Sequence, residues 1–230
     1  VVLIEATVED LDPRFAASGY AIKVSRLVAA PLVSLNTPDS SVKLELAAKV
    51  ERPDERTYVF TLRQGARFAD GQPVLAKDVV ATFENLKGAS SRSPYRSAFA
   101  RVKAVERLSA RRVRFRLKAP HAPFISDLDM GILPARLLSR YGRKRIPDPA
   151  LVGAGPLRIV RRTPTRIVLA PNPHYHGAKP RLARYVIKSV EDDNSRLLCL
   201  VSGGGDLSQN TVAPLLLPAL QRSPKVKVQS

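Results

Sequence analysis

The sequence predicts a mixed α/β lobe, in which short strands and amphipathic helices share one chain without the order of a βαβ nucleotide fold. Three observations carry that reading. Tyr58, Phe60 and Leu62 alternate with Val59, Thr61 and Arg63, the period of a strand with one buried face. Val79, Val80, Phe83 and Leu86 recur at helical spacing after Pro73. Between them, Gln64-Gly65 and Asp70-Gly71 are turn dipeptides, and Gly88 stands at the C′ position that would close the helix.

Taken in order, Val1 to Ala6 reads as a strand, Tyr20 to Ala29 as a helix with Ile22, Leu27 and Val28 on one side, and Leu32 to Leu35 as a strand. Residues 37–149 read as an inserted subdomain. Its strands are expected at Val42 to Glu51, Thr57 to Leu62, Val102 to Leu108 and Val113 to Lys118, and its helices at Ala76 to Lys87 and Pro134 to Tyr141. The proline-rich stretch Ile146 to Pro149 marks its end. The main domain, residues 1–36 and 150–230, resumes with strands at Leu157 to Arg162, Arg166 to Ala170 and Arg184 to Val190 and a helix from Asn194, a fair N-cap, to Val201. Lys225 to Val228 alternates like a short strand, and an exposed edge there would invite strand exchange. No internal repeat or low-complexity segment interrupts this layout.

With 44% apolar residues, 230 residues suffice for a sizeable core. No run approaches the roughly 18 apolar residues of a membrane span. Val1 to Ala6 is too short and lacks the basic leader of a signal peptide. Cys199, the single cysteine, cannot form an internal disulfide, and its setting in Leu197-Leu198-Cys199-Leu200 predicts a buried, inert thiol. The formal charge of +18 is uneven: Arg92 to Pro147 holds fifteen Lys or Arg against three acids, Glu106, Asp127 and Asp129. In Arg111 to Lys118, Val113, Phe115 and Leu117 alternate with Arg112, Arg114, Arg116 and Lys118, so a strand would bury one set and present a basic ladder. Arg136, Arg140 and Arg143 to Arg145 add a second cluster. Such a surface could attract nucleic acid, acidic lipid or an acidic partner. Without interleaved exposed aromatics or a nucleic-acid motif, a solvated face is favoured.

The residues supply no catalytic constellation. His174 and His176 flank Tyr175, a spacing that on a strand would put both on one face, but no third metal ligand is in reach by sequence. Gly203-Gly204-Gly205 follows a helix instead of opening one and has no Lys-Ser/Thr after it, so a turn before a strand is expected rather than a phosphate loop. No serine has a paired His and Asp motif. The reading is a non-enzyme with no cofactor and no metal.

The segment YVFTLRQGARFADGQPVLAKDVVATFENL, Tyr58 to Leu86, resembles the signature of the oligopeptide, dipeptide and nickel class of solute-binding proteins of ABC transporters. Leu11-Asp12-Pro13, Ala30-Pro31-Leu32, Val152 to Leu157 (VGAGPL), Asn172 to Lys179 (NPHYHGAK) and Leu200 to Asp206 (LVSGGGD) resemble that class's further motifs in the same order. The resemblance covers all 230 residues. It implies a periplasmic-binding-protein-like class II lobe, a mixed sheet carrying a small inserted α/β subdomain, and a periplasmic or extracytoplasmic location. Members of the class have two lobes and run to roughly twice this length. The chain therefore reads as the first lobe, with the second lobe absent.

The resemblance also implies where a ligand lies. One surface is the backbone of the loop after Leu11-Asp12-Pro13, at Ala17, Ser18 and Gly19 with Tyr20 following, which would bond an extended peptide main chain. The other is Tyr95, in Ser93-Pro94-Tyr95-Arg96-Ser97, whose ring and hydroxyl suit a peptide groove; an ordinary helix-start aromatic is the alternative. Three departures stand out. The chain has no Trp, Leu75 replaces a helix-capping Thr, and His176 occupies a position where the class usually has Trp. The acid that pairs with a peptide's amino group belongs to the second lobe, so half a site is expected. The leading function is capture of short peptides or a related solute for an ABC permease, with the C-terminal lobe as a further partner. A ligand-sensing module of a regulator or adaptor is the alternative, and nucleic-acid binding, expected from charge alone, comes third.

Overall fold

The computed structural model describes residues 1–36, 39, 41–88, 91–209, 212–221 and 224–228. In chain order the elements are β1 (Val2–Ile4), α1 (Gly19–Val28), β2 (Val33–Leu35), β3 (Val42–Leu44), β4 (Ala47–Asp54), β5 (Thr57–Leu62), α2 (Ala76–Lys87), α3 (Arg96–Phe99), β6 (Val102–Arg107), β7 (Arg112–Leu117), α4 (Phe124–Asp127), α5 (Ala135–Tyr141), β8 (Leu157–Thr163), β9 (Arg166–Pro171), β10 (Tyr185–Ser189), α6 (Asp193–Val201), β11 (Leu207–Ser208) and α7 (Leu217–Gln221). No helix of the described residues is long and apolar enough to cross a membrane. The class is mixed α/β, as expected. The chain divides into two compact units, one of Val1–Glu9, Ile159–Ala170 and Arg181–Ser230, the other of Asp10–Arg158 and Pro171–Pro180. These divisions fall at other places than the 36/37 and 149/150 boundaries expected from the sequence, and Thr37 lies outside the described residues.

The first unit carries a mixed sheet ordered β11-β1-β10-β9-β8. β1 lies parallel to both β10 and β11, while β10 and β9 are antiparallel. Gly203, at φ 82°, makes the turn that leads α6 back to β11, as the triple glycine suggested. Two expectations fail on α6. Its N-cap is Asp192, whose carboxylate accepts from the Ser195 N–H at 2.7 Å, and Asn194 sits inside the first turn. Its buried residue is Arg196, which donates to the carbonyls of Val190 and Glu191. Leu198 accordingly faces solvent, and Cys199 is only half-buried, with the Lys188 ammonium 3.6 Å from its sulfur. The expected strand at the C-terminus does not form: residues 226–228 belong to no sheet, and Gln229 lies outside the described residues.

The second unit is built on an antiparallel sheet ordered β4-β5-β7-β6, with α2 packed on β6 and β7. Alternation decides which face is covered. Tyr58, Phe60 and Leu62 on β5 and Val113, Phe115 and Leu117 on β7 are all buried, and Phe83 of α2 meets Phe115 and Phe99 edge-on at ring distances of 5.0 and 5.1 Å. On the outer face, Arg112 pairs with Glu51 at 3.1 Å, and Arg114 and Arg116 converge on Glu106. The basic ladder is thus partly neutralised by neighbouring strands. The span expected as one strand from Val42 to Glu51 is two, because residues 45–46 leave β3 and bond back to Leu32 and Pro31.

Helix α2 has the expected bounds but different ends. Leu75 cannot cap, and Asp78 does so from inside the helix: one oxygen accepts from the Leu75 N–H and the other from the Ala135 N–H, both at 2.8 Å. Gly88 has φ −57°, so the helix ends without the left-handed glycine anticipated. The turns at Gly65 and Gly71 do have positive φ, 79° and 85°. In α1, Leu27 is exposed and Ile22 half-buried, while Ala21, Val24, Ser25 and Val28 form the buried face.

Candidate functional site: the cavity beside Tyr95

Asp12 and Arg14, both fully buried, place the segment that leads to the site. The Asp12 carboxylate accepts from the Arg14 guanidinium at 2.6 and 3.0 Å and from the Ile146 N–H at 3.1 Å. Arg14 in turn donates to Asn85 at 2.7 Å and to the carbonyls of Gly142 and Lys144. Such complete hydrogen bonding offsets the desolvation of a buried pair, and here it ties residues 10–14 to the ends of α2 and α5.

The chain then folds into the start of α1. Ser18 is its N-cap, its hydroxyl accepting from the Ala21 N–H at 3.2 Å. Gly19 and Tyr20 therefore belong to α1, a correction to the loop expected at Ala17, Ser18 and Gly19. Ala17, Ser18 and Gly19 are exposed, and Ala17 offers its N–H and C=O without a protein partner among the described residues. Tyr20 is half-buried with the Lys23 ammonium over its ring, outside the cavity. Tyr95 reaches across 79 residues and donates its hydroxyl to the Ala16 carbonyl, which brings the two expected ligand surfaces together.

Beside that contact lies a cavity of about 310 Å³. Pro13, Ile22, Leu35, Phe99 and Met130 give it apolar walls, and Ser25, Arg26, Tyr95, Asp127 and Asp129 line it with polar groups. The 126–131 segment reaches α1 through small residues. A Cβ on Gly131 would lie 2.7 Å from both the Cβ and the carbonyl oxygen of Ala29, and the Ile132 N–H donates to Ala30 at 3.0 Å. Gly153 and Gly155 of the VGAGPL motif press on the last turn of α1 in the same way, their Cβ positions lying 2.1 and 2.4 Å from the carbonyl oxygens of Val28 and Leu27. Only glycine allows that approach.

Asp129 is the group that sequence reasoning passed over. It pairs with Arg26, yet its Oδ1 is buried without a hydrogen-bond partner, as is the Oγ of Ser25, another residue of the lining. Burial pushes its carboxyl up to about 6 against the pull of the Arg26 guanidinium, with Glu45 adding repulsion. Asp127 bonds the His121 ring at 2.8 Å. His174 and His176 sit in a turn instead of on a strand, and His176, 3.9 Å from Glu45, has its pKa lowered by burial and by Arg63. No group of three metal-ligating side chains occurs among the described residues.

The family model described as bacterial extracellular solute-binding proteins, family 5 (middle), matches residues 41–230. The chain belongs to that family. This family 5 chain is 30% identical over 182 residues to the probable D,D-dipeptide-binding periplasmic protein of Escherichia coli, a match covering 76% of the chain and 35% of the relative. Two solved structures share its fold: the oligopeptide-binding protein of Bacillus subtilis in complex with a nonapeptide, at TM-score 0.90 and 20% identity, and NikZ of Campylobacter jejuni in complex with Ni(L-His), at TM-score 0.88 and 23% identity. Each match covers 97% of this chain and 45% of the other. The family 5 chain thus spans a third to a half of its relatives' length. The Escherichia coli and Bacillus subtilis proteins are named as binding proteins.

Proposed function

We propose that this chain captures a short peptide or a related small solute outside the inner membrane and presents it to an ABC permease, with Ala17, Ser18, the start of α1 and Tyr95 forming one wall of the ligand site. One observation carries the reading: the Tyr95 hydroxyl closes on Ala16 beside a 310 Å³ cavity, next to an exposed backbone stretch with unmet hydrogen-bonding groups. An extended peptide would add its main chain to that stretch, as a strand adds to an edge, and place a side chain in the cavity. The name of the Escherichia coli relative and the ligand of the Bacillus subtilis structure support peptides as the solute class. On this reading the opposite wall comes from the remaining length that the relatives have, and the subdomain at 37–149 carries Tyr95 towards it.

The test is calorimetric titration of tri- to pentapeptides into this chain and into the product of the whole reading frame. Tight binding by the latter, weakened at least about tenfold by Tyr95→Ala, is the expected result. Silence towards all peptides in both proteins would overturn the assignment.

A further inference from the structure

The two basic clusters of the sequence end in different electrostatic settings. The β7 ladder shares Glu51 and Glu106. The cations around α2 and α5 have no comparable acids. An open groove of about 900 Å³ between those helices is bordered by Arg92, Arg140, Arg143 and Lys144, with Glu84 as its one carboxylate among the described residues. A second groove of about 370 Å³, where the end of α2 meets α3 and β6, is bordered by Lys87, Arg96, Lys103 and Lys118, and no acid among the described residues lines it. Asp54 and Glu55 lie beyond Lys103, in a groove where Arg56 and Arg116 offset them. Glu84 is taken by Lys87 at 2.9 Å, a pair that spans the two basic grooves. Lys87 also donates to the Lys103 carbonyl at 3.2 Å, and the Arg143 guanidinium lies against Gly88, so both linings are tied to the last turn of α2. Arg92, Arg96, Lys103, Lys118, Arg140 and Lys144 are exposed and have no ion-pair partner among the described residues. Like charges gathered in this way repel one another, and an anion arriving between them relieves that repulsion.

We propose that this face, from Lys118 and Arg96 across the end of α2 to Arg140 and Lys144, docks the chain on an anionic phospholipid surface. Its chemistry fits that partner better than others. None of the exposed large apolar side chains borders either groove, so a protein partner would find no apolar centre to bury. Phe99 is buried, and Tyr141 is half-buried with the Arg140 guanidinium over its ring, so neither offers a free face on which nucleobases could stack. What remains is a set of separate cations on long side chains, which a plane of headgroup phosphates can meet together without a fixed register. Each cation brought near such a surface raises the affinity about fivefold, so several acting together hold the chain there reversibly. The inference extends the reading above, on which the chain works beside the inner membrane, yet it needs no particular solute.

The test is co-sedimentation of the product of the whole reading frame, without peptide, with vesicles of equal parts phosphatidylglycerol and phosphatidylcholine and with vesicles of phosphatidylcholine alone. Two charge-matched variants separate this face from net charge: Arg96→Gln/Lys103→Gln/Lys118→Gln in the smaller groove, and Arg112→Gln/Arg114→Gln/Arg116→Gln on the β7 ladder. The expected result is binding to the anionic vesicles only, weakened at least about tenfold by the first variant and less than about threefold by the second. It should be lost at about 1 M salt, where the Debye length is about 3 Å. Equal losses in the two variants, or no difference between the two vesicles, would overturn the proposal. So would tighter binding to duplex DNA or to polyglutamate at the same concentration of charge, which would assign the face to a nucleic acid or to an acidic protein. Should the first variant fail to fold, Arg140→Gln/Lys144→Gln in the larger groove is read in its place against Arg112→Gln/Arg116→Gln, with the same ordering expected. Because no peptide is present, the outcome is separate from the calorimetric one: vesicle binding without peptide binding keeps this face and removes the solute assignment, and the reverse result does the opposite.

Discussion

Tyr95 gives its hydroxyl proton to a carbonyl 79 residues earlier, so the same side chain both holds the loop before α1 and walls the cavity. Tyr95→Phe keeps the wall and loses the tie. Its expected cost is about 1 kcal/mol in stability by urea unfolding, with much less effect on peptide affinity than Tyr95→Ala. Asp12 and Arg14 have no such freedom. Arg14→Met would leave the Asp12 carboxylate buried without its cation and should destabilise by about 3–5 kcal/mol, read from the same unfolding curves. Asp129 gives a pH signature. Its folded-state pKa, about 6, lies above the ordinary 3.8, so the folded chain holds a proton that the unfolded chain releases. Stability from that group is full below about pH 4 and is lost as pH rises through 6. The loss is at most about 3 kcal/mol. Asp129→Asn should flatten this part of the stability profile between pH 4 and 7. Burial also raises the carboxyls of Asp10 and Asp78, but both variants share these, so the difference isolates Asp129.

At the scale of elements, periodicity made most of the secondary structure legible. Strands β5 and β7 and helix α2 lie within a residue of where alternation and helical spacing put them, because each buries one regular face in the same aromatic core. Where a partner far along the chain decides, the pattern misleads. Leu27 and Cys199 read as buried, but Leu27 is exposed and Cys199 only half-buried, since the buried face of α1 is Ala21, Val24, Ser25 and Val28 and that of α6 is Arg196, whose surroundings no local pattern reveals. The candidate site divides the same way. Tyr95 and the loop after Asp12 were visible as motifs, but Asp129 was hidden among fifteen cations. Its burial arises only when Gly131 and Ala29 bring the 126–131 segment against α1. The glycines of VGAGPL test that account. Gly155→Ala would set a methyl 2.4 Å from the Leu27 carbonyl oxygen, and the expected loss is about 1–3 kcal/mol with a weakened cavity, seen as a lower melting temperature and poorer peptide affinity.

For the molecule as a whole, the charge of +18 and the proposed solute site make opposite demands, and the arginine ladder and the cavity beside Tyr95 are lined by different residues. The outward arginines of β7 are half-exposed and share Glu51 and Glu106, so any anion they attract is held in water and screened within about 10 Å at 0.1 M salt. The cavity beside Tyr95 is lined largely by buried or half-buried side chains, where screening reaches weakly. The two kinds of binding should therefore part when ionic strength is raised. Between 50 and 300 mM NaCl, any association with DNA or heparin is expected to fall by orders of magnitude, following counterion release, while peptide affinity changes by less than about threefold. Calorimetry at the two salt concentrations, alongside retention on a heparin column, measures both. A peptide affinity that collapses with the column retention would place the solute on the arginine face instead of in the cavity beside Tyr95.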